Sequence, residues 1–170
     1  MAERRLIVDQ LKFSYEGLFN ASELYNLISS WFYEKGWDYY EKMNQELITP
    51  NGKQIRIILE PYKNITSYYR IIMQIKINFT DIKDVDVDVE GENLRLNQGV
   101  MKMIINAYLI SDRHGLWENN PFYWILSIIN DKYFFNHHYL KAERWIESDV
   151  EDLHQKIKTY MNSFNYRTQA

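Results

Sequence analysis

Asp84, Asp86 and Asp88 alternate with valines in DVDVDVEGEN, residues 84 to 93. Three carboxylates this close could hold a divalent cation. A calcium loop needs oxygen ligands at loop positions 1, 3, 5, 7, 9 and 12, with glycine at position 6 to permit the sharp turn. Counting from Asp84, the turn position is Val89, a β-branched residue that resists positive φ, and position 12 is Arg95, a cation where a bidentate glutamate belongs. The spacing fits a β-strand instead. Val85, Val87 and Val89 then share one face and the aspartates the other, with Glu90, Gly91, Glu92 and Asn93 turning the chain before Leu94 and Leu96 resume the alternation. Alternate carboxylates on a strand stand roughly 6 to 7 Å apart, too far to share one ion unaided. Asp84, Asp86, Asp88, Glu90 and Glu92 are therefore read as a solvated hairpin whose charge protects an exposed edge and steers a basic partner.

The remaining residues capable of chemistry form no familiar constellation. His137 and His138 are adjacent, and on a helix they point about 100° apart, so they chelate poorly together. His154 is too far along for helical spacing with either, and His114 before Gly115 reads as a turn residue. Glu143 with Glu147, and Asp149 with Asp152, have helical spacing and read as solvated helix surface. The glycines at 17, 36, 52, 91, 99 and 115 are dispersed at turns and build no phosphate-binding loop. Without cysteine there is no disulfide, thiolate ligand or cysteine nucleophile. No catalytic role, metal or cofactor is expected. Trp117, Phe122, Tyr123 and Trp124 are candidate anchors for a partner, since Trp and Tyr are enriched in interfaces, though such rings equally serve as core. Tyr39, Tyr40, Tyr68 and Tyr69 could stack on single-stranded RNA. With no accompanying basic groove visible, core edge or protein contact is preferred.

Hydrophobic periodicity supplies the elements that must position these groups. Residues 5 to 16 read as a strand with Ile7, Leu11, Phe13 and Tyr15 on one face and Asp9 interrupting it. Asn20 is placed to cap a helix carrying Leu24, Leu27, Ile28, Trp31 and Phe32 in one stripe, ended by Gly36 in the left-handed conformation. From Trp37 to about Arg113 the period falls to two. A strand over 38 to 48 reverses at Pro50-Asn51-Gly52-Lys53. Ile55, Ile57 and Leu59 alternate before Pro61 limits the ladder. Ile71, Met73, Ile75, Ile77 and Phe79 share a face, as do Met101, Met103, Ile105, Ala107 and Leu109. Asn120-Pro121 predicts the start of a second helix, apolar nearly all round, and a third runs from about Tyr139 to Phe164 with Ile146, Val150, Leu153, Ile157, Tyr160, Met161 and Phe164 on its apolar side. The expected fold is α+β: a single domain over 1–170, with a curved antiparallel sheet of about six to seven strands and one N-terminal and two C-terminal helices on its apolar face.

At 170 residues the chain is long enough to close one core without staples, and its aromatic content of 16% is that of a globular protein. Its formal net charge of −3 provides no global positive field, Lys and Arg look scattered, and duplex DNA binding is not expected. No apolar run approaches the roughly 18 residues of a membrane span, and a soluble cytoplasmic protein is expected.

The strand, helix, long meander and closing helix resemble the helix-grip arrangement, in which a curved sheet wraps a C-terminal helix and can hold an apolar ligand. The helix from Asn120-Pro121 departs from that pattern. The PNGK turn, the acidic hairpin, the WENNPFYW segment and the closing amphipathic helix together resemble archaeal ribosome-dimerising factors. That resemblance implies a homodimer that contacts the small ribosomal subunit, gripping a basic ribosomal protein rather than bare rRNA, with no catalytic role. The functional expectation is thus a non-catalytic, homodimeric, ribosome-associated adaptor. The alternative is a helix-grip-like carrier of an apolar small molecule.

Overall fold

Between Arg70 and Leu109 the alternation of apolar and polar side chains becomes two long antiparallel strands in the computed structural model, which describes residues 4–66, 69–89, 91–111, 125 and 136–167. The elements follow the chain as β1 (Arg4–Phe19), α1 (Ala21–Glu34), β2 (Glu41–Thr49), β3 (Gly52–Leu59), β4 (Tyr62–Asn64), β5 (Arg70–Val89), β6 (Glu92–Ile110) and α2 (Asn136–Arg167). All strand pairs are antiparallel, in the order β1-β6-β5-β3-β2, and β4 continues along the same edge of β5 after Pro61 interrupts β3. Among the described residues the sheet is not closed, and β1 and β2 are its edges. The α+β class and the antiparallel sheet are as expected. The described helices are the first and the last of the expected three, and of the one expected from Asn120-Pro121 only Ile125 is described, as helical and exposed.

One face of the sheet carries the core. Ile71, Met73, Ile75, Ile77 and Phe79 on β5 and Met101, Met103, Ile105, Ala107 and Leu109 on β6 are each no more than 3% exposed. They form one cluster with Ile146, Val150, Leu153, Ile157, Met161 and Phe164, which recur every three or four residues along α2. This spacing places them on a single helical stripe, so one helix lies along the sheet and buries its apolar side there. Helix α1 packs on the same side through Leu24, Ile28, Trp31 and Phe32. Asn20 caps it by accepting from the Glu23 amide at 3.1 Å, and Gly36 follows it at φ 70°.

The strands bend at definite residues. Two register shifts break β1 between Leu6 and Leu11, and Gln10 there has φ 47°, so the interruption expected at Asp9 is a pair of bulges within one strand. In β5 a shift between Thr80 and Lys83 sets Asp81, at φ 56°, and Ile82 against Gly99 of β6. The β2–β3 turn differs slightly from the expected one. Thr49 pairs with Gly52, so Pro50 and Asn51 form the loop, and the positive φ of 144° falls on Gly52 rather than on Asn51. The backbone of Asp81 and Ile82 passes so close to Gly52 that only a residue without Cβ fits there.

Candidate interaction surfaces

The acidic hairpin is the end of the β5–β6 ladder. Beyond Ile82 on β5 and Asn97 on β6 no third strand among the described residues pairs with it, so residues 85–89 and 92–96 form a two-stranded arm reaching about 15 Å past the described sheet. The strand reading holds: Asp84, Asp86 and Asp88 are exposed, while Val85 and Val87 are half-buried on the opposite face. The bulge at Asp81 turns the aspartates to the helix side of the sheet. Asp84 is more than a solvated charge. It pairs with Arg95 at 3.1 Å and Lys53 at 3.7 Å, and it accepts from the Asn97 side chain at 2.9 Å. Asp88 accepts from the Gly91 amide at 3.0 Å and so fixes the turn. Glu90 lies outside the described residues, and Glu92 is described only as the first residue of β6. Trp117, Phe122, Tyr123 and Trp124 also lie outside the described residues. No group of three or more possible metal ligands occurs among the described residues.

The face turned away from the helices shows what the linear sequence concealed. Residues opposite one another in an antiparallel ladder share a face, so the register defines rows across the sheet. Arg4, Ile110, Arg70 and Asn64 form one row, and Leu6, Tyr108, Ile72 and Tyr62 the next. Further along, Lys12, Ile104, Lys76, Ile58 and Met43 form a third, and Ser14, Lys102, Asn78, Arg56 and Gln45 a fourth. Arg4, Lys12, Arg56, Arg70, Lys76 and Lys102 therefore converge on one open face. Carboxylates stand beside them too: Glu60 meets Gln74 in the row between, Glu16 lies opposite Val100 one row beyond, and Asp9 falls in the β1 bulge opposite Asn106. Arg4, Lys12, Arg56 and Lys102 are exposed, whereas Tyr62, Ile72, Ile104 and Tyr108 are half-buried between them. The Arg4 guanidinium stands 3.7 Å from the centre of the Tyr108 ring, and that of Arg70 stands 4.6 Å from the centre of Tyr62.

A chain of polar side chains crosses this face at right angles to the strands. Lys42 donates to Glu60 at 2.9 Å, Gln74 donates to the same Glu60 oxygen at 2.6 Å, and Asn106 reaches Gln74 at 3.5 Å. Asn106 in turn accepts from the Gln10 backbone at 2.8 Å, which ties the β1 bulge to β6. Burial alone would raise the Glu60 carboxyl, but the hydrogen bonds from Lys42 and Gln74, with the charges of Lys42 and Arg4, outweigh it and hold Glu60 below its ordinary range. The alternation along β5 by itself puts Arg70, Gln74, Lys76, Asn78 and Thr80 on one face. Lys12, Arg56 and Lys102 joined them only through the register.

The carboxylate pair read as solvated helix surface is structural. Asp152 accepts from the Trp31 indole at 2.9 Å and Asp149 from the Trp37 indole at 3.1 Å, while Lys35 lies within 4.0 Å of both. The hydrogen bonds from Trp31 and Lys35 hold Asp152 below its ordinary range. Among the tyrosines singled out for stacking, Tyr69 is buried, Tyr39 packs against Tyr25, Phe32 and Tyr33, and Tyr40 is exposed; Tyr68 lies outside the described residues. Asp9 and Glu41 are exposed. His154 meets the Phe13 ring edge-on, with neither of its buried ring nitrogens hydrogen-bonded among the described residues. An open cleft of about 370 Å³ lies between β4 and α2, lined in part by Lys63, Ile65, Trp145 and Asp149. Among the described residues no helix is long and apolar enough to cross a membrane. No family model, curated protein or solved structure matches the chain.

Proposed function

We propose that this is a non-catalytic interaction protein whose contact surface is the open face of the sheet. The observation that carries the reading is charge segregation: a chain of net charge −3 gathers Arg4, Lys12, Arg56, Arg70, Lys76 and Lys102 on one face and turns Asp84, Asp86 and Asp88 to the other. Such a separation orients an approaching charged partner and rejects the wrong one, which raises on-rate and specificity. The adaptor reading is favoured over the carrier because the apolar face that a carried ligand would need is packed against the α2 stripe.

In its finer form, following the family resemblance, the protein is a homodimer attached to the small ribosomal subunit, with the acidic arm gripping a basic ribosomal protein. Sedimentation of the purified protein with and without small ribosomal subunits tests both parts. A dimer that co-sediments, and whose attachment at low salt is weakened by reversing Asp84, Asp86 and Asp88 to lysine, is the expected result. A monomer that stays in the supernatant overturns the finer form. Attachment equal before and after reversal, at low ionic strength, removes the role of the arm.

A further inference from the structure

We infer that the open sheet face binds a single strand of RNA. The inference rests on the proposal that this face is the contact surface, and it names the occupant from the chemistry of the rows. A single-stranded nucleic acid site needs cations that follow the backbone and flat side chains on which bases stack. Both are present here: one row of tyrosines lies beside a row of cations, and two adjacent cation rows lie farther along the strands. The outer row supplies Arg4 and Arg70, the next supplies Tyr108 and Tyr62, and the Lys12–Lys76 and Lys102–Arg56 rows carry four further cations. Adjacent rows lie about 7 Å apart along the strands, close to the reach of one nucleotide, and the Gln74–Asn106 row sets the tyrosines about 14 Å from the Lys12–Lys76 row, so a strand running across the face can set bases on the tyrosine row and phosphates on the cation rows to either side.

The Arg4–Tyr108 and Arg70–Tyr62 stacks are suited to this use. A guanidinium over a ring presents a planar cation that a base can stack upon or displace. Asn78 stands between Lys102 and Arg56 in its row and Asn64 ends the first row, where its Oδ1 accepts from the Arg70 guanidinium at 2.8 Å, and carboxamides both donate to and accept from a 2′-hydroxyl, the group that separates RNA from DNA. A duplex fits poorly: this face projects no helix or loop among the described residues to insert into a groove, and the projecting arm presents carboxylates. An anionic membrane would use the cations but has no need of the carboxamide and tyrosine rows.

The test uses the full chain and a short fluorescein-labelled oligo(U) strand, read by fluorescence anisotropy across a salt series. Binding is expected, with affinity falling steeply with salt and the same sequence in DNA binding more weakly. Arg56→Glu with Lys102→Glu, both exposed and therefore tolerable to the fold, should weaken binding about tenfold or more and lower the salt slope by about two phosphate contacts' worth. Tyr108→Leu should weaken it about tenfold while leaving the salt slope unchanged. Lys158→Glu, exposed on the far side of α2, should change nothing, and circular dichroism of each variant checks the fold. Absence of RNA binding, equal binding of the DNA strand, or affinity indifferent to the Arg56/Lys102 reversal overturns the inference. If RNA fails but vesicles of anionic lipid or an acidic polypeptide bind and lose affinity on that reversal, only the occupant is wrong; if no polyanion responds to it, the contact-surface reading falls as well.

Discussion

The indole N–H of Trp31 on α1 meets Oδ2 of Asp152 on α2 at 2.9 Å, across 121 positions of chain. With the neighbouring Trp37–Asp149 bond and Lys35 between the two carboxylates, it ties α2 to α1 and to the residues that follow α1. Trp31 itself is almost wholly buried, so removing its acceptor leaves the indole poorly partnered. Asp152→Ala should cost about 1–2 kcal/mol, seen as a thermal midpoint lower by roughly 3–6 °C. The exposure of Asp152 keeps the expected loss at that modest level. An unchanged midpoint would show that water replaces the carboxylate fully.

Acid should weaken the same contact. The hydrogen bonds from Trp31 and Lys35 depress Asp152 in the folded protein, below the ordinary value of 3.8. A depressed carboxylate contributes its stabilisation above its unfolded pKa and loses it as pH falls through the lower folded value. Glu60, also depressed from 4.5, acts in the same direction. The thermal midpoint of the wild type should therefore decline on acidification below about pH 4.5, and the gap between wild type and Asp152→Ala should narrow as it does so. A gap that stays constant into strong acid would contradict the assignment.

Gly99 should tolerate no side chain. A Cβ there would lie 2.7 Å from Ile82 Cδ1 and 2.9 Å from the Thr80 carbonyl oxygen, and the second of these is backbone that cannot swing aside. Gly99→Ala is expected to cost about 2 kcal/mol or more through overpacking at the bulge. Gly91 provides the contrast. It has φ 86° with open space around it, so Gly91→Ala should cost only about 1 kcal/mol from backbone strain. Denaturant titration of the two variants measures the difference, and equal losses would mean that the bulge relaxes freely.

Asn106 is the buried polar side chain of the open face, 7% exposed. Its carbonyl oxygen is the acceptor for the Gln10 amide at the β1 bulge. Asn106→Leu removes that acceptor and should destabilise by about 1–3 kcal/mol. Amide hydrogen exchange should show the loss concentrated at Gln10 and its β1 neighbours. Protection at Gln10 unchanged from wild type would remove Asn106 from this role.

Much of the architecture was legible in the residues. Asn20 and Gly36 marked the ends of α1, the odd-numbered run from Ile71 to Phe79 marked a core-facing strand, and Pro61 marked the break between β3 and β4. Each is a local signal, set by a cap, a period or a missing donor. The valines of residues 84 to 93 likewise excluded a calcium loop in favour of a strand. Asp149 and Asp152 were misread because their partners, Trp37 and Trp31, lie far away in the chain. Helical spacing alone cannot distinguish a solvated carboxylate from one holding an indole.

Local periodicity by itself determined which side chains on each strand would be dry, since side chains alternate whatever the strand pairs with. Only the tertiary structure decided which strands lie side by side and in what register. That pairing brought Lys12, Arg56, Lys76 and Lys102 from four separate strands onto one face of an acidic protein. The bulge at Asp81 then turned the carboxylates of the arm to the other side. Charge is additive along a sequence, but its field depends on where each charge stands in space.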